Sequence, residues 1–114
     1  MSIIKKIISL IRRIFGLKQK EKYFSVVEID DIQNIKLKPN CLYIEKRGGK
    51  NRWLYLLCPS GCGETLSVNL MQSISPFWTL TRNTDNTATL SPSIDKTDGC
   101  KSHFFIRNSQ IQWV

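Results

Sequence analysis

Two short turns, Cys58-Pro-Ser-Gly-Cys62-Gly63 and Gly99-Cys100-Lys-Ser-His103, constrain this chain more than any other feature. Each sets a pair of soft or borderline metal ligands on a tight bend beside an apolar, strand-like stretch. Glycines let backbone fold closely around an ion, and the amides of such a turn point towards thiolates. Two knuckles distant in sequence can therefore build one tetrahedral zinc site. The C-x3-C spacing is less standard than C-x2-C, whereas C-x2-H is comfortable. The expectation is that Cys58, Cys62, Cys100 and His103 meet in one zinc site that closes a small domain. The plainer reading is small buried thiols and a satisfied histidine. It suits Cys41, which begins an alternating strand and has no partner at ligand spacing.

A chain of 114 residues with 41% hydrophobic content is one domain with a modest core, for which a metal clamp would help. The apolar N-terminal stretch is broken by Arg12 and Arg13 and lacks a small-residue cleavage site. The four cysteines therefore predict reduced thiols in the cytoplasm. No run of roughly 18 apolar residues occurs, so no membrane span is expected. The net charge of +8 is uneven: residues 1–22 hold seven basic side chains against one acidic, leaving a surplus of only two for the rest. The body has no strong electrostatic reason to seek phosphate, so no nucleic-acid partner is expected.

Residues 2–16 follow a helical period, with Ile3, Ile4, Ile7, Ile8, Ile11, Ile14 and Phe15 on one face and Lys5, Lys6, Ser9, Arg12 and Arg13 on the other. An amphipathic basic helix over 1–17 is expected, either peripheral to an anionic membrane or docked on protein. Residues 18–22 read as a linker. The expected body, 23–114, is a mainly β, compact antiparallel domain with zinc-knuckle-like turns. Its candidate strands are Tyr23 to Ile29, Cys41 to Lys46, Arg52 to Leu57, Glu64 to Leu70, Phe77 to Arg82, Ala88 to Leu90, Ser102 to Ile106 and Ile111 to Val114. Gly48-Gly49 supplies the positive φ angles of a hairpin, and Arg107 to Gln110 a tight turn.

Familiar catalytic signatures are absent: no HExxH, no GxSxG, no phosphate-binding glycine loop and no dinucleotide fingerprint. The single histidine is restrictive. As a zinc ligand His103 cannot be a general base; as the base of a serine, it leaves the metal to three thiolates.

The segments CPSGCGETLSVNL, then Trp78, then LSPSI (Leu90 to Ile94), then GCKSHFFI and IQWV occur in that order over roughly residues 52–114. They resemble a family of small bacterial proteins with the pattern CPCGCGE, W, PSI and GCRSHFWI. Its members are encoded beside ubiquitin-like proteins and their E1-like and E2-like enzymes, in Bub-type operons. The resemblance implies a deubiquitinase-like peptidase that removes or matures a ubiquitin-like modifier. One departure is that Ser60 stands where the pattern has the middle cysteine of CPCGC.

On that reading His103 is general base and then acid, and Ser93 or Ser60 the nucleophile, with Asp95 or Asp98 to orient the imidazole. Amides around Gly61 to Gly63 would supply the oxyanion hole. Ser102 is a poorer nucleophile, because neighbours on a strand face opposite ways. Each candidate has an ordinary reading too: Ser93 and Ser60 as turn residues bonding backbone, and Trp53, Trp78, Phe104, Phe105 and Trp113 as core. Glu64 beside an open three-ligand metal ranks third. The competing function is a non-catalytic, zinc-stabilised adaptor of the same pathway. A third makes the basic helix a membrane element.

Overall fold

The computed structural model describes residues 23–114. The expected helix over 1–17 and the linker 18–22 lie outside the described residues. The described chain is mainly strand. Its elements are β1 (Ser25–Ile29), one turn of 3-10 helix at Ile32–Asn34, β2 (Cys41–Arg47), β3 (Lys50–Leu57), β4 (Thr65–Asn69), β5 (Thr79–Arg82), β6 (Ala88–Asp95), β7 (His103–Arg107) and β8 (Gln110–Trp113). They form two four-stranded sheets, ordered β1-β2-β3-β4 and β5-β6-β7-β8.

Alternation explains most of this. In β3 the inward residues Leu54 and Leu56 are fully buried while Trp53, Tyr55 and Leu57 between them are only half-buried. Leu42, Ile44, Leu66 and Val68 from the first sheet join Ala88, Leu90, Ile94, Phe104 and Ile106 from the second in one hydrophobic core. Gly48 and Gly49 turn the β2–β3 hairpin at φ 60° and 76°, as their position predicts.

Two departures from the expected domain matter. First, the sheets are not wholly antiparallel: β1 runs parallel to β2, with Ser25 opposite Cys41 and Ile29 opposite Glu45. The crossover from Asp30 to Asn40 is pinned to β2 by two buried side chains. Glu45 accepts the Ile32 amide at 3.2 Å, and the Tyr43 hydroxyl accepts that of Lys38 at 2.9 Å. This is why Tyr43 and Glu45, on the face of β2 away from the core, are themselves buried.

Second, β6 does not stop at Leu90 but runs on through Ser91-Pro92-Ser93 to Asp95. Leu90 faces Ile106 and Ile94 faces Phe104, so Ser91, Pro92 and Ser93 together oppose Phe105 alone. Proline fits within a sheet at such a bulge, where no ladder donor is required of it.

Candidate active site and cysteine centre

The bulge in β6 carries the first cluster. Extra residues in one strand re-aim their side chains, and here the Ser93 hydroxyl lies 2.9 Å from His103 Nε2 on the neighbouring β7. Both residues are half-buried. With the imidazole neutral and its proton on Nδ1, Ser93 O–H donates to Nε2, the arrangement from which a serine loses its proton as it attacks a carbonyl.

The surroundings fix both partners. Trp78 Nε1 donates to the Ser93 carbonyl at 3.2 Å, and its own main-chain amide donates to Asn69 O at 2.8 Å, so the tryptophan ties the bulge to the end of β4. The His103 ring lies 6.4 Å from that of Phe105, over which the Arg107 guanidinium sits 4.1 Å from the ring centre. Asp95 is the cross-strand neighbour of His103. Asp98 lies 3.7 Å from Lys96 Nζ.

The second cluster is built from the two turns. Cys58 N–H donates to Glu64 O at 2.8 Å and Gly61 N–H to Cys58 O at 3.1 Å, closing a loop in which Gly61 and Gly63 adopt φ 85° and 88°. In the other turn Lys96 N–H donates to Ser102 O at 2.8 Å and Lys101 N–H to Asp98 O at 3.1 Å. A Lys96–Glu64 ion pair clasps the two together.

The sulfurs of Cys58, Cys62 and Cys100 consequently lie within 4.8 Å of one another, and three such thiols can hold a metal ion. The Cys58 to Cys100 separation is 3.6 Å, close to the ~3.8 Å edge of a tetrahedron with metal–sulfur bonds of about 2.3 Å. Two hydroxyls line the group. Ser102 Oγ is 3.0 Å from Cys100 Sγ and 3.7 Å from Cys58 Sγ, and Ser60 Oγ is 3.1 Å from Cys58 Sγ. Hydrogen bonds from Ser102 first and Ser60 second draw the Cys100 thiol down to about 6, so it is mainly thiolate at neutral pH.

The structure thus separates residues that spacing alone groups together. His103 is not in the sulfur group; its ring is on Ser93. The reason is strand parity. Ser102 directs its buried hydroxyl at the thiols, and His103, the next residue, faces the other way. Ser60 belongs to the thiols rather than to the histidine, and its oxygen also accepts the Cys62 amide at 3.2 Å. The Gly61 and Cys62 amides are therefore occupied inside their own turn. Glu64 is paired with Lys96. Cys41 is not in the group.

Sequence alone places Trp78 in the core and gives Ser102 no role beside the thiols. Trp78 does pack on the core, and its indole N–H is the overlooked part. The usable signals are the need of a part-buried indole for an acceptor and the i, i+2 spacing of Cys100 and Ser102.

Fold and clusters define a class of protein: a small, mainly β domain that rests a serine hydroxyl on a histidine ring, with a separate centre of three cysteines. The chain belongs to the family named Bacterial ubiquitination-like system serine protease (BubE), whose model matches residues 28–114. Both clusters lie inside that span. No curated protein and no solved structure matches the chain. No helix among the described residues is long and apolar enough to cross a membrane.

Proposed function

We propose that the chain is a serine peptidase that removes or matures a ubiquitin-like modifier, with Ser93 as nucleophile and His103 as general base. The observation that carries this reading is the 2.9 Å contact between Ser93 Oγ and His103 Nε2. His103 takes the hydroxyl proton as Ser93 attacks the carbonyl at the modifier's C-terminal peptide or isopeptide bond. The protonated ring then donates to the departing amine, leaving the acyl group on Ser93. Water, deprotonated by the same ring, releases it. Asp95, opposite His103 in register, is the acidic candidate to steady the imidazolium. The partners are the modifier and its conjugates, in a pathway shared with E1-like and E2-like enzymes.

Zinc is the metal that three thiols in two glycine turns suit best, held by Cys58, Cys62 and Cys100. When bound it supplies a cross-link between the β3–β4 loop and the β6–β7 loop. Because Ser102 and His103 are adjacent, that cross-link also steadies the start of β7 and so the base.

The test is cleavage of a purified conjugate or precursor of the cognate modifier. Ser93→Ala and His103→Ala are each expected to lower the rate by about 10³-fold or more while the fold is retained; Ser60→Ala, which touches only the cysteine centre, is expected to cost far less than either. The alternative, a zinc-stabilised adaptor without catalysis, draws on the cysteine centre. It would be favoured by wild-type protein that binds the modifier but never cleaves it.

A further inference from the structure

We infer that the metal centre has a fourth corner held by the Ser60 hydroxyl, so that the site takes a divalent ion on three sulfurs and one oxygen. This rests on the proposed zinc reading. A structural zinc site is four-coordinate, and the described residues bring only three thiols together. The one histidine is committed to Ser93 on the opposite face of β7. Glu64, the carboxylate that ends the first turn, is committed to Lys96. Among the described residues, what remain beside the sulfurs are two hydroxyls, Ser60 and Ser102.

Backbone placement chooses between them. Ser60 sits midway between Cys58 and Cys62, so the turn that delivers those two thiols to a point delivers its oxygen as well. That oxygen lies 3.1 Å from Cys58 Sγ, near the ~3.5 Å sulfur-to-oxygen edge of a tetrahedron with bonds of about 2.3 and 2.0 Å. The Cys62 N–H donating to it at 3.2 Å aims a lone pair and keeps the side chain in place. Ser102, by contrast, is buried beneath the thiols, where its oxygen accepts from Cys58 Sγ at 3.7 Å and lies 3.0 Å from Cys100 Sγ. Ser60 lies on the exposed side, with Cys62 and Cys100. A neutral hydroxyl is a weak ligand for a soft site, so this corner exchanges with water and the bound ion is open to competitors and chelators.

X-ray absorption on the zinc-loaded full chain reads the shell directly. The expected result is three sulfurs at about 2.3 Å and one oxygen at about 2.0 Å. Cobalt loading of the wild type, Ser60→Cys and Ser102→Ala then assigns the oxygen. Ser60→Cys should raise the thiolate-to-cobalt charge-transfer intensity by about one third, as three thiolates become four. It should also slow metal loss to a chelator, whereas Ser102→Ala should leave the intensity unchanged. Imidazole scattering in the zinc shell, or one bound cobalt whose spectrum Ser60→Cys does not alter, overturns the fourth-corner assignment and leaves the metal site standing. A wild-type chain that binds neither zinc nor cobalt overturns the metal reading itself.

Discussion

A serine hydroxyl in water is a poor nucleophile, and Ser93 is distinguished by where its oxygen rests and by what grips its backbone. The Trp78 indole holds the Ser93 carbonyl at 3.2 Å. Trp78→Phe keeps most of the ring volume and removes that donor. A net hydrogen bond of roughly 0.5–1.5 kcal/mol corresponds to about 2- to 10-fold. We expect kcat for modifier cleavage to fall by about that factor with KM little changed, beside a drop of a few degrees in melting temperature; a purely structural tryptophan would move the melting temperature and leave kcat unchanged. Residue identity is partly legible in the sequence: motif and resemblance between them name Cys58, Cys62, Cys100 and His103 and leave the nucleophile between Ser93 and Ser60. Their grouping is not. The spacing of Cys100 and His103 suits a metal knuckle, whereas in the fold the sulfur group is Cys58, Cys62 and Cys100 and the His103 ring lies on Ser93. Parity, read from the sequence, already turns Ser102 away from His103; that Ser102 then meets the thiols and the histidine meets Ser93 depends on the elements packed on either side.

Among the elements, β6 shows what a composition-based reading overlooks. All eight strands are legible, because aromatic and β-branched runs between turn residues are a local signal. Pro92 marks the end of a strand by the same logic, yet the sheet absorbs it in a bulge that opposes three residues to Phe105. The parallel β1–β2 pair is not legible, because it depends on the distant anchors Glu45 and Tyr43.

Ser109, in the β7–β8 turn, is another such anchor. It is fully buried at φ 60°, its hydroxyl accepts the Ala88 amide at 2.9 Å, and its carbonyl accepts that of Phe24 at 2.8 Å. Ser109→Ala leaves the Ala88 N–H without that partner, at a cost of about 1–3 kcal/mol, measurable as a lower urea midpoint at unchanged slope. Gly99→Ala acts on the other side of the molecule. Its φ of 59° disfavours a side chain, and the added Cβ would run into the Glu64 carboxylate that pairs with Lys96. A loss of about 1–3 kcal/mol is expected in thermal unfolding, with weaker zinc retention in the same variant.

On the scale of the whole molecule, one core and two turns hold the sheets together. Phe104 is fully buried between the sheets and touches the Trp113 ring edge-on at 5.4 Å. Phe104→Ala should cost about 3–5 kcal/mol, a large part of what a domain this size has. Zinc removal should also lower the melting temperature, because ion-binding energy is folding energy in small domains. An unchanged melt on chelation would deprive the cysteine centre of its clamping role.

The central claim is that the bulge and β7 together activate one serine. The measurement that tests it most directly is labelling of the folded full chain by a fluorophosphonate, with peptide mapping of the adduct. One adduct on Ser93, lost in His103→Ala and kept in Ser60→Ala, is the predicted result. A wild-type chain that cleaves its modifier while Ser93 stays unlabelled, or an adduct on Ser60, would contradict it.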